Sequence, residues 1–163
     1  VPKTILRAFY DTDSSSGAEH LPKTLDGLLE IPCEKLQLFI SSPTQSDKYA
    51  KVSAPGKTSL EIFALAPYEA FAAFKNDKTH RATHDHKKEY ESFKVAYGQK
   101  MWTRARQVLI AAGASASLPR DLCDAKVAEV GSPLTVGRYL GTEEGSFTDW
   151  IMGLPVSIQK SFI

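Results

Sequence analysis

Val130-Gly131-Ser132-Pro133-Leu134-Thr135 runs directly into Val136-Gly137-Arg138-Tyr139-Leu140-Gly141, and the punctuation of this segment defines a short helix. The Ser132 hydroxyl can cap orphan amides, and proline suits the first helical position, where its missing N–H has no intrahelical partner anyway. The helix is predicted over Pro133 to Leu140, with Gly141 ending it. Gly137, Gly141 and Gly145 lie four residues apart around it and read as turn glycines.

Upstream, Asp121-Leu122-Cys123-Asp124 leads into a strand predicted over about Ala125 to Val130. Before that stands the strongest helical pattern in the chain, Glu89 to Ala112. Phe93, Tyr97, Met101, Val108 and Ala112 recur at three- and four-residue steps, with Arg104 interrupting, so one stripe faces a core. Gly113 is a natural left-handed cap, and Pro119 lies beyond it. Further upstream, Leu36-Gln37-Leu38-Phe39-Ile40-Ser41 alternates with the period of a strand. Ser59 to Leu65 does the same, with Leu60, Ile62 and Ala64 on one side and Phe63 and Leu65 on the other. Pro55-Gly56 is a turn signal between them, and the two strands pair antiparallel. Pro67-Tyr68-Glu69 opens a short helical segment in which Tyr68, Phe71 and Phe74 share a face. Asn76 to Lys88 is charged and irregular. A short helix is predicted within Leu21 to Leu29, with Asp26 and Glu30 turned away from Leu25, Leu28 and Leu29. Asp11 to Gly17 is polar and turn-prone.

The expected fold is α+β: a small, mostly antiparallel sheet with one long helix packed on a face and a short capped helix. The chain divides into a lead-in and loop (1–35), a domain (36–148) and an apolar tail (149–163).

Composition agrees with a globular chain. Of 163 residues, 42% are apolar and 24% charged, enough for a core and far from the disordered range. A formal net charge of +1 offers no electrostatic case for nucleic acid or a polyanion. Cys33 and Cys123 form no Cys-x-x-Cys pair; buried free thiols are expected, with a single disulfide left open. No apolar run is long enough to span a bilayer, and no secretory signal is visible. A first residue of Val rather than Met fits processing, trimming or an incompletely represented precursor.

The order of elements, with Gly131-Ser132-Pro133-Leu134-Thr135, Arg138-Tyr139-Leu140 and Glu144-Gly145, resembles the substrate-side half of flavin-dependent carotenoid isomerases, phytoene desaturases and retinol-saturase-like oxidoreductases. Their motif is Val-Gly-Thr-Pro-Leu-Thr-x-x-Arg-Phe-Leu; here Ser132 stands for Thr and Tyr139 for Phe. Ala54-Pro55-Gly56-Lys57, Glu89-Tyr90, Phe93-Lys94 and Met101-Trp102 are further local similarities. The resemblance covers about residues 36–147. Three departures accompany it, the first being that nothing here matches the family's Gly-rich, flavin-contacting C-terminal segment. No Gly-x-Gly-x-x-Gly fingerprint for a flavin pyrophosphate occurs, and Val136 stands where isomerase-like members commonly have His.

What the resemblance implies is a substrate-domain fold whose flavin-binding segments are missing. Hydride chemistry on a polyene needs an electron sink that ordinary side chains do not supply. The expected role is therefore a non-catalytic accessory subunit with no catalytic, cofactor-binding or metal-ligating residues. By analogy with a family that works on carotenoids, it would be a peripheral subunit of a photosynthetic pigment-protein membrane complex, a photosystem with its antenna, on the plastid thylakoid; a soluble compartment is the alternative. Two other readings stand beside it: the substrate-binding part of an FAD-dependent isomerase or desaturase, should flanking sequence carry the flavin site, and a stand-alone carotenoid- or lipid-binding module.

Other constellations are weaker. His80, His84 and His86 invite a metal, but Lys78, Arg81, Lys87 and Lys88 surround them with positive charge, and a solvated polar loop is the better account. Ser41 or Ser132 with His20 and Asp26 makes a hydrolase set on paper only, without a Gly-x-Ser-x-Gly elbow. Phe63, Tyr68, Phe71, Met101 and Trp102 are candidates for a hydrophobic groove taking an isoprenoid chain, with Phe74, Phe93 and Tyr97 also in the aromatic set; core packing is the competing reading. Trp150, Ile151, Met152, Leu154 and Phe162 make the tail a candidate docking segment.

Overall fold

A computed structural model of the chain describes residues 21–42, 58–75, 84–114, 118–125 and 128–141. Within them the fold is α+β: a two-stranded antiparallel sheet and three α-helices, one of them long. The helices are α1 (Leu25–Glu30), α2 (His84–Ala111) and α3 (Pro133–Leu140); the strands are β1 (Leu38–Ser41) and β2 (Glu61–Ala64).

Helix α1 starts at Thr24, whose hydroxyl accepts the Gly27 N–H. Its apolar side, Leu25 and Leu28, is buried, while Asp26 and Glu30 are exposed. The β1–β2 register pairs Leu38 with Ala64 and Ile40 with Ile62. Leu38 and Ile40 are buried, and Ile62 and Ala64 pack against the same core. Period-two geometry sends Phe39, Phe63 and Leu65 to the opposite face, where the Phe39 and Phe63 rings meet at 5.8 Å and Leu65 is 51% exposed. Two 3-10 turns, Tyr68–Ala70 and Ala72–Phe74, replace the single helical segment expected there, and between them Phe71 is buried.

Helix α2 supplies the spine. It begins at His84, earlier than the hydrophobic pattern indicates, because Lys87, Lys88 and Glu89 are good helix formers even where no apolar stripe marks them. Its end is a full Schellman arrangement. Gly113 sits at φ +86°, its N–H bonds the Ile110 carbonyl (2.9 Å), and the Ala114 N–H reaches back to Leu109 (2.8 Å). The buried side of α2 comprises Phe93, Tyr97, Trp102, Ala105, Val108 and Leu109, with Met101 and Ala112 only half-buried. It is wider than the predicted stripe because α2 is covered from two directions. The sheet and α1 pack on one side, tied by Lys100 Nζ donating to the Leu29 carbonyl.

A second covering comes from the chain after α2, which turns back along the helix. Arg106 Nε donates to the Leu118 carbonyl (3.4 Å), and Trp102 Nε1 to the Pro119 carbonyl (3.1 Å). Gln99 accepts the Leu122 N–H (2.8 Å) and donates to Asp121 (3.3 Å). Of the strand expected over about Ala125 to Val130, the described residues 125 and 128–130 form none: a 3-10 turn occupies Leu122–Asp124, and residues 128–130 pair with no strand among the described residues. Cys33 and Cys123 are both free; Cys123 is exposed rather than buried.

Candidate functional site

The returning segment delivers α3 to the N-terminal half of α2. Close approach is what makes this fit. Gly98 presents bare backbone to Val130, and a Cβ there would lie 2.7 Å from Val130 Cγ2 and 3.3 Å from Leu122 Cδ2. Beyond Val130, Gly131 is exposed and Ser132 is buried.

Ser132 caps α3 as its sequence indicates. The backbone is extended at Ser132, and the hydroxyl accepts the Thr135 N–H at 3.3 Å. Pro133 occupies the first turn, and Gly141 closes the helix at φ +68°. The same Ser132 oxygen is hydrogen-bonded to the Tyr90 hydroxyl of α2 and lies 3.4 Å from Thr135 Oγ1. One oxygen therefore serves as helix cap and as interhelical joint. Leu134 packs against the core, while Arg138 and Tyr139 face solvent, Tyr139 being 72% exposed with the Arg138 guanidinium 5.7 Å from its ring centre. Leu140 is the last helical residue, and Gly145 lies outside the described residues.

An aromatic seam runs along the same half of α2. Phe74 stacks on Tyr90 (5.8 Å), Phe71 meets Phe93 edge-on (5.6 Å), and Phe93 stacks on Tyr97 (5.2 Å). Lys94 lies 5.5 Å above the Tyr90 ring and 3.6 Å from Glu91. Tyr97 is 5% exposed, and its hydroxyl has no hydrogen-bond partner among the described residues. Burial alone pushes that phenol up to about 12.

The structure divides the residues expected to form a groove. Phe71 is in the core and Tyr68 and Met101 are half-buried, but Phe63 lies on the outer face of the sheet. Trp102 is held against Pro119 on the flank covered by the returning segment. Phe71 meets Phe93, which in turn stacks on Tyr97, and Tyr90 meets Phe74, whereas the Phe63 ring meets Phe39. The tail candidates Trp150, Ile151, Met152, Leu154 and Phe162 lie outside the described residues, as do Ala54-Pro55-Gly56-Lys57 and His80. Among the described residues no group of three or more His, Cys, Asp or Glu is placed to hold a metal ion. No described helix is long and apolar enough to cross a membrane.

Chemically, the Ser132 and Thr135 hydroxyls of the motif are engaged in structure. At the start of α3, Pro133 offers no amide, the Thr135 N–H is taken by Ser132 Oγ, and the Val136 N–H bonds the Ser132 carbonyl (2.9 Å). Sequence reasoning assigned Ser132 its cap but missed Tyr90 as its partner; only the residue types, two hydroxyl side chains far apart in sequence, hinted at the joint. No protein-family model, no curated protein and no solved structure matches the chain.

Proposed function

We propose that this chain is a non-catalytic interaction subunit, similar to the substrate domain of flavin-dependent carotenoid isomerases and desaturases. Its place in this reading is the periphery of a photosynthetic pigment-protein complex, a photosystem with its antenna, at the plastid thylakoid. The observation that carries the non-catalytic part is the engagement of the motif: Ser132 joins the α3 cap to Tyr90, while Arg138 and Tyr139 point outward. Polar groups turned into the fold hold a shape, and side chains left outside it are available to a partner. The pigment-complex partner rests on the resemblance alone.

The test is co-migration. Detergent-solubilised thylakoid membranes from the source cells are separated on a sucrose gradient and probed for the full chain with an antibody. Migration with a large chlorophyll-containing fraction supports the reading. A chain found only at the top of the gradient, as a free monomer, overturns it. An absorbance spectrum of the purified protein separates the alternatives: bound FAD favours the enzyme reading, and a bound polyene without flavin favours a pigment-binding module.

A further inference from the structure

We draw no further inference here: the strongest candidate, the apolar outer face of the two-stranded sheet at Phe39, Phe63 and Leu65, carries none because nothing in the structure shows what covers it.

Discussion

Replacing Tyr97 with Phe removes one oxygen and leaves the ring stacked on Phe93. In the native protein that oxygen is shielded from water and has no partner among the described residues. Leaving a buried hydroxyl unsatisfied costs about 1–3 kcal/mol, whereas deleting it from an apolar site restores that amount less any small packing loss. Tyr97→Phe is therefore expected to stabilise the fold by about 1–2 kcal/mol at pH 8. In urea the midpoint rises with the slope unchanged, and the thermal midpoint rises by roughly 2–6 °C for a chain of this size.

Alkaline pH provides an independent readout of the same group. The phenol's folded pKa, about 12, lies above its ordinary value of 10.0. A raised folded value means that its contribution to stability is fully present below pH 10 and is lost as the pH climbs toward 12. At pH 11 the loss amounts to about 1 kcal/mol, and the full shift corresponds to about 3 kcal/mol. Tyr97→Phe lacks this loss, so the stability gap between variant and wild type widens from pH 8 to pH 11, measured by urea titration at each pH. Subtracting the two proteins cancels the other tyrosines and the lysines. A variant less stable than wild type by more than about 1 kcal/mol at pH 8, or a gap that stays flat to pH 11, would refute the reasoning.

Ser132→Ala removes both the α3 cap and the Tyr90 contact, and should cost about 1–3 kcal/mol in urea unfolding. In a double-mutant cycle with Tyr90→Phe, a coupling energy of at least about 0.5 kcal/mol is expected, and strict additivity would show that the two hydroxyls do not act together. Gly98→Ala forces Val130 away from α2, so a loss of about 1–3 kcal/mol is expected by thermal unfolding. Adding Val130→Ala to Gly98→Ala should recover part of that loss by giving the new methyl room. Leu28→Ala, at a fully buried position, should cost about 2–5 kcal/mol by chemical denaturation.

Several elements are legible from residue order because each carries a local signal. Alternation marks β1 and β2, a serine before proline marks the start of α3, and Gly113 marks the end of α2. The described residues before Val130, which form no strand, show where local signals end. An extended apolar run reads alike whether its backbone pairs with another strand or lies along a helix, and here the neighbouring backbone groups find side chains of α2 instead. The width of α2's buried side was hidden for a related reason. A single stripe captures one partner surface, so Trp102, Ala105 and Leu109 emerge only when both coverings are known. The candidate site was half visible: Ser132 as a cap follows from its neighbours, but its bond to Tyr90 depends on how tightly Gly98 lets two distant segments meet. Grouping Phe63 with Phe71 failed to separate the two faces of the sheet, although strand alternation already places Phe63 opposite Ile62 and Ala64.

The fastening of the returning segment has a consequence for how this chain tolerates change. Trp102 and Arg106 grip main-chain carbonyls, and Gln99 grips a main-chain amide, so apart from the Gln99–Asp121 bond these clasps recognise the path of the peptide and not the identity of its side chains. Leu122 is therefore open to replacement wherever a new side chain still fits beside the helix, whereas Leu118 also packs against the core. The three clasping residues have no such freedom, and mutational sensitivity should be concentrated on one of the two strips that touch.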